Sequence, residues 1–486
     1  MSPHMTKEKK KGLGAFDFFS IGFGAIVGVG WAVALNNWMA NSGGPVPAGL
    51  GYLLSLVMMA PIALCYCELA PMLPVAGGGA AYAYKAFGEK VSMLSGWAAF
   101  GAFVTIIPWE AIYVTDVLSY MFPALRLGDA IYTLAGTDIY LGSILVGAVF
   151  STLLFLMNVR GIGLSTQVQK VLCVILVGSG ILAMISAVAG GSAENLQPYY
   201  ENVTGTANHH SFATGVFSMV VTAAWFLCGF ETIPQAIEEA EGDVKSAGKT
   251  VVLSVVLACL FYAAILFCLG TAMPWKDFYL LGSPAAANLF LVEYAGNPWG
   301  TVMYIVILVG CLAGLFTTWN GFMMASPRLL MSLARTHMVP FALAKQNKNG
   351  TPINSLIICY ILSLIGPFLG LGLIDPLTSF SAAGFLVSWL ITSLCVIRLR
   401  KTAPDLPRPY KIPGGSATAG FAAIVTGIVL VMCFIPGTPC YLGSLAITLF
   451  VVWMLLGLIL YLGNRKARKQ IPEEERVASL FQKMSK

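Results

Sequence analysis

The chain has 486 residues, 57% of them hydrophobic and 10% charged, with a mean hydropathy of +0.80. Soluble domains carry roughly 25% charged residues, and polar groups could not cover a surface this apolar in water. Length alone would fit about three soluble domains, but the apolar runs are spread evenly, and the chain reads as one membrane domain rather than a soluble enzyme or a nucleic-acid binder.

A spanning helix needs about 20 mostly apolar residues. The polar segment 1–15 precedes the first such run, which is too long and lacks the small-residue cleavage site of a signal peptide. By that criterion about twelve spans follow in chain order: 16–42, 46–72, 91–122, 140–158, 165–190, 212–238, 249–273, 299–334, 353–374, 376–399, 414–436 and 440–463. Residues 464–486 form a tail of mixed charge, read as solvated and in reach of anionic lipid. With the N-terminus inside and sides alternating, every Lys and Arg except Arg126 and Lys276 falls on the cytoplasmic side. This bias is the positive-inside pattern, so both termini are expected in the cytoplasm and the net charge of +6 is no nucleic-acid footprint. Most of the eleven cysteines lie inside apolar runs and read as small buried hydrophobes.

Two spans are interrupted. The first reads Ile21-Gly22-Phe23-Gly24-Ala25-Ile26-Val27-Gly28-Val29-Gly30-Trp31. Each glycine costs a helix about 1 kcal/mol relative to alanine. Close helix packing is one use for them, and an unwound stretch that offers backbone to a ligand is the other. The density around Gly28-Val29-Gly30 favours unwinding. The sixth span reads Trp225-Phe226-Leu227-Cys228-Gly229-Phe230-Glu231-Thr232-Ile233-Pro234, where a glycine, a carboxylate and a proline interrupt an apolar run. A charged side chain at membrane depth normally faces protein interior or water. Breaks in spans one and six suit an inverted repeat of five helices per half, whose discontinuous helices meet at the midplane and build a substrate site.

These residues resemble the amino acid–polyamine–organocation superfamily of transporters. The similarity rests on the Gly28-Val29-Gly30 break and on Glu68-Leu69-Ala70, Pro74, Gly77-Gly78, Tyr82, Tyr84, Gly88 and Gly96-Trp97. It also rests on Gly229-Phe230-Glu231 with Glu238-Glu239, and on Ser326-Pro327-Arg328 with Pro340, and it covers about residues 14–460. The resemblance implies an all-α polytopic fold of the leucine-transporter type. Residues 16–190 would be the first inverted repeat, 191–400 the second and 401–463 two peripheral helices. It implies alternating access, with the backbone amides of Val29 and Gly30 receiving a substrate carboxylate. The carbonyls of Ile26, Trp225 and Cys228 would receive its amino group, and Trp225 or Phe226 would cover it.

Coupling is open at this level. Proton-coupled relatives often place a lysine midway along the fifth span, where this chain has Leu176. Sodium-coupled members of the wider fold bind the ion between the first and eighth spans. Here the carbonyls of Gly24, Val27 and Ala313 and the hydroxyls of Thr317 and Thr318 would be its ligands. The alternative is that the threonines bond back to their own helix. A third route is a proton carried on Glu110 or Glu231, and uncoupled exchange is a fourth. Glu110, in Pro108-Trp109-Glu110-Ala111 of the third span, also suggests a substrate with an amino group, while Asp116 is expected to be solvated. An amino acid, a polyamine or an amino alcohol all fit, and so does a sensor that binds without transporting. The four histidines, His4, His209, His210 and His337, fall in predicted loops or tails, which leaves no intramembrane histidine for a catalytic or metal site. No repeated pore loop suggests a channel. Some members of the superfamily it resembles pair with a single-span glycoprotein through a cysteine between the third and fourth spans; segment 123–139 has no cysteine, so that partner is not expected.

Overall fold

The computed structural model describes residues 12–126, 129–203, 211–240, 244–438 and 440–481. Most of the N-terminal tail, together with His4, His209 and His210, lies outside the described residues.

The first predicted span is α1 (Ala15–Ile26), a break at Val27–Val29, then α2 (Gly30–Val33) and α3 (Leu35–Ser42). Gly43, at φ 78°, stops α3 in the left-handed region that suits glycine. Helix α4 (Pro45–Met72) opens with proline in its first turn, where the missing N–H costs nothing. A short α5 (Gly79–Phe87) precedes α6 (Glu89–Met121). A two-stranded hairpin, β1 (Tyr132–Leu134) and β2 (Thr137–Ile139), leads into α7 (Leu141–Val159) and α8 (Ile162–Gly190). The sixth predicted span is α9 (Phe212–Phe226), a break, and α10 (Thr232–Ala236). Then come α11 (Val244–Leu269), the short α12 (Trp275–Phe278) and α13 (Ala285–Glu293), and α14 (Pro298–Arg335). Helices α15 (Ile353–Leu369), α16 (Ile374–Thr402), α17 (Ser416–Met432) and α18 (Ser444–Gly463) complete the bundle, and α19 (Arg465–Gln470) and α20 (Glu473–Leu480) end it.

Nine of these stretches are long and apolar enough to cross a membrane, and α9, α15 and α17 are shorter apolar helices in the remaining predicted spans. The protein is an all-α, multi-pass membrane protein. Its outward faces carry the residues that lipid solvates, such as Leu145, Val149 and Leu153 on α7 and Val171, Val174 and Ile185 on α8. Helix α14, at 1.5 Å per residue, is about 57 Å long, well beyond a hydrocarbon core of about 30 Å. It lies at the centre, packed on α1, α6 and α8, while α4 runs along α11 and α16 along α6.

One end of the bundle is basic. There Glu68, 1% exposed, holds the Arg400 guanidinium through two bonds (3.0 and 2.5 Å) and accepts from the Ile412 amide at 2.9 Å. Arg408 stands 3.6 Å away. The turn after α4 is pinned to the second broken helix. The Ala76 amide donates to Glu238 and the Gly77 amide to Gln235, both at 2.8 Å, and Arg335 of α14 closes on Glu238 at 3.0 Å. Gly77 (φ 106°) and Gly78 (φ 45°) make that turn; a Cβ on Gly78 would lie 2.9 Å from the Gln235 amide.

Three expectations change. The tail past Gly463 is not simply solvated: Arg476 donates to Glu89 at 2.5 Å, Arg468 lies over the Tyr461 ring, and Leu480 is buried. Asp116 is buried rather than solvated, because Arg126, the single basic residue of that loop, folds back to pair with it. The helices α5, α12 and α13 were missed, being too short to give a span signal. The cysteines are all unpaired, and all but Cys268 are buried, as read from the sequence.

Candidate functional site

The two breaks face each other. A Cβ on Gly229, whose φ is 121°, would lie 2.7 Å from the carbonyl carbon of Ala25 and 2.9 Å from the amide of Ile26. Only glycine permits that approach at that dihedral. Gly314 of α14 closes the third side, where a Cβ would lie 2.6 Å from the Gly28 carbonyl oxygen.

Between these segments lies a narrow cavity of about 30 Å³. Its walls include Ile26, Val29, Gly30, Glu110, Trp225, Phe226 and Cys228, which are all but one of the residues expected at a substrate site. Tyr262 of α11, Trp109 and Thr318 also line it. Tyr262 escaped the sequence reading because a lone tyrosine in an apolar span carries no positional signal. Its hydroxyl donates to the Ile26 carbonyl at 3.1 Å. That same carbonyl accepts from the Gly28 amide at 3.1 Å, so both of its lone pairs are engaged, and the Trp225 carbonyl accepts from the Cys228 amide at 3.1 Å. By contrast, the amides of Val29 and Gly30 have no acceptor among the described residues. They stand at the N-terminus of α2, where free N–H groups carry partial positive charge.

Glu110 is 1% exposed, and its Oε2 atom has no hydrogen-bond partner among the described residues. A Cβ on Gly28 would lie 3.8 Å from Glu110 Oε1 and 2.8 Å from Thr318 Oγ1, so carboxylate and hydroxyl both abut the unwound backbone. Trp225 Nε1 is also buried without a partner. The cavity therefore offers an unpaired carboxylate, an unpaired indole donor and two free amides in apolar walls. A ligand with separate cationic and anionic groups satisfies all three. Aromatic rings stack away from the basic end: Trp225 meets Phe226 edge-on at 4.8 Å, and Phe226 meets Trp38 at 4.7 Å.

Glu231 lies apart from the other expected residues. It does not line this cavity; its Oε2 accepts from the Gly229 amide at 2.8 Å and its Oε1 from the Trp389 indole. The side chain turns back over the break and makes no bond to the first turn of α10. Of the expected sodium ligands, the Thr317 hydroxyl donates back to Gly314 at 2.8 Å, and the Thr318 hydroxyl donates to Gly24 O at 3.2 Å, which brings these two together. Trp319 and Asn320 face away from the cavity, Trp319 donating to Ser363 at 3.2 Å.

A multi-pass bundle with a mid-depth cavity between two broken helices defines a membrane carrier. The chain belongs to the amino acid permease family, whose model matches residues 13–459. It is 26% identical over 480 residues to a branched-chain amino acid permease, BcaP, of Bacillus subtilis, covering 95% of both chains. It is 24% identical over 470 residues to the methylthioribose transporter of the same organism, covering 94% of both. It is 24% identical over 482 residues to that organism's aspartate-proton symporter, covering 92% of this chain and 88% of the relative. The protein is thus a secondary transporter of the amino acid permease type and not an enzyme.

Proposed function

We propose that the chain imports a zwitterionic amino acid across the cytoplasmic membrane by alternating access, with both termini cytoplasmic and with a proton as the coupling ion. The reading takes residues 16–190 and 191–400 as the two inverted repeats, 401–463 as peripheral helices, and the breaks of α1 and α9–α10 as their meeting point. The amides of Val29 and Gly30 receive the substrate carboxylate and Glu110 faces its ammonium. Trp225 and Phe226 cover it. The observation that carries the reading is the unpartnered Glu110 carboxyl in one cavity with two unpartnered amides. An isolated carboxylate in a water-poor site is costly, and either a proton or a substrate ammonium offsets that cost. That alternation links proton and substrate at one atom. A proton-coupled relative, the aspartate-proton symporter, supports the choice of ion.

The test is thermal stabilisation of the purified chain against amino acids, diamines, polyamines and amino alcohols, followed by uptake of any hit into proteoliposomes under an imposed pH gradient. A ligand at 100 times its Kd adds about 2.7 kcal/mol to stability. Stabilisation by amino acids, and uptake driven by an inward proton gradient, are expected. Stabilisation by diamines or amino alcohols alone would overturn the carboxylate–amide pairing. Binding without uptake would make the chain a sensor.

A further inference from the structure

At the basic end, one corner of the surface carries cations that no acid answers. No Asp or Glu occurs between Asp138 and Glu194, the stretch that holds α7 and α8, or between Glu293 and Asp375, which holds α14 and α15. Six Lys and Arg residues fall in these two stretches. Three take acids from elsewhere: Lys170 pairs with Asp17, Arg328 with Glu239 and Arg335 with Glu238. Arg160, Lys345 and Lys348 are exposed and make no ion pair among the described residues.

A rigid turn gathers these three. Arg160 follows Val159, the last residue of α7. The Val159 carbonyl accepts from Asn347 Nδ2 at 2.9 Å and from Asn349 Nδ2 at 3.2 Å, and the Thr351 hydroxyl donates to the Asn158 carbonyl at 3.1 Å. Asn347 Oδ1 in turn accepts from the amides of Asn349 at 2.9 Å and Thr351 at 3.0 Å, the local closure that suits asparagine in a turn. Gln346 and Pro352 pair across the base of the turn. Lys348 thus sits between the two asparagines that grip the residue before Arg160. Lys345 stands at the foot of the turn, where its carbonyl accepts from the Ile353 amide at 3.2 Å. Like charges on a fixed backbone repel, and an anion among them offsets the repulsion. Beside this corner, α7 and α15 touch, Phe155 stacking on Tyr360 at 4.4 Å, and their outward faces expose Leu153, Leu156, Ile357 and Ile361.

We propose that this corner binds an anionic phospholipid, with Arg160, Lys345 and Lys348 on the headgroup phosphate and the acyl chains along α7 and α15. Arginine meets phosphate with a planar fork and lysine meets it as a point charge. A zwitterionic headgroup would bring its own cation to three others. Each basic residue near an anionic lipid surface is worth about fivefold in affinity. Basic residues collect at this end of a membrane protein without any bound lipid, so the test needs a control of equal charge. The proposal goes beyond the proposed substrate and coupling ion and does not depend on them.

The test is thermal unfolding of the full chain, purified in detergent and stripped of lipid, titrated with phosphatidylglycerol or with phosphatidylcholine of the same acyl chains. Phosphatidylglycerol should stabilise the wild type at a concentration at least tenfold lower than phosphatidylcholine. The triple variant Arg160→Gln, Lys345→Gln, Lys348→Gln should lose that preference, and Lys348→Gln alone should weaken it about fivefold. A control triple, Arg465→Gln, Lys466→Gln, Lys469→Gln, removes the same charge from α19, close in sequence to Glu473, Glu474 and Glu475, and should keep the preference. Glycerol phosphate, which has the headgroup charge without the chains, should not stabilise at matched concentration. Equal effects of the two lipids on the wild type overturn the proposal. So does a preference that survives the first triple or is lost equally in the control, and so does glycerol phosphate matching the lipid, which would make the corner a site for free anions. Should the first triple fail to fold, Lys348→Gln keeps the asparagines of the turn in place and decides alone.

Discussion

Glu110 and Gly30 both line the cavity and answer to different physics. Glu110 is a buried carboxyl with an orphaned oxygen, an arrangement that burdens the fold. Glu110→Gln removes the ionisable group while keeping the shape. We expect uptake to fall at least tenfold and the unfolding temperature to hold or rise. Normal uptake with lower stability would make the residue a structural partner. Gly30 contributes backbone rather than a side chain. A Cβ there would lie 2.6 Å from Cε1 of the Phe226 ring, so Gly30→Leu should fill the space between α2 and the aromatic cover. Loss of ligand-induced stabilisation, with the bundle still folded by circular dichroism, is the expected outcome. Retained affinity would show that the substrate does not reach this backbone.

At the scale of elements, the breaks are kept open by groups that stand in for lost helical bonds. Glu231 satisfies the Gly229 amide, and Tyr262 engages the Ile26 carbonyl. Gly229→Ala combines a φ of 121° with a backbone clash at 2.7 Å, so it should destabilise by more than the roughly 1 kcal/mol typical of a point substitution. Denaturation in detergent would measure it. The basic end is held by ion pairs instead. Removing one partner of a buried pair costs about 3–5 kcal/mol. Glu68→Gln leaves Arg400 and Arg408 facing no carboxylate and should lower the unfolding temperature markedly without changing which ligands bind. A change in ligand preference would mean that the latch reaches the cavity.

For the whole molecule, the C-terminal helices act as a strap. Arg476 and Arg468 converge on Glu89 and Tyr461, joining α20, α6 and α18 at the basic end. Truncation after Gly463 should leave a folded, membrane-inserted bundle of lower thermal stability, seen by fluorescence-detected size exclusion. An aggregated product would show the strap to be essential for folding. Much of this architecture was legible in the chain. The spans follow from apolar runs of about 20 residues, and both breaks were marked by glycines that cost a helix too much to be incidental. Position along a helix is less legible than its existence. Glu110 and Glu231 look alike in sequence, each a lone acid in an apolar span, yet one lines the cavity and the other is held by the Gly229 amide and the Trp389 indole. Helices α5, α12 and α13 and the docked tail left no signal, because short segments are decided by what they pack against.

Composition and the spacing of apolar runs by themselves determined that this chain lives in a bilayer, that it crosses many times, and where two helices fail. Those are properties of solvent and of local backbone cost, and each can be computed from residues near in sequence. Only the tertiary structure decided which groups meet at the breaks. That Thr318 meets Gly24, that Tyr262 reaches Ile26, and that Glu110 lies unpartnered against the unwound backbone all depend on helices distant in sequence being brought together. Hydrogen-bond partnership inside a membrane is settled by proximity, and proximity between distant spans is what a linear reading lacks.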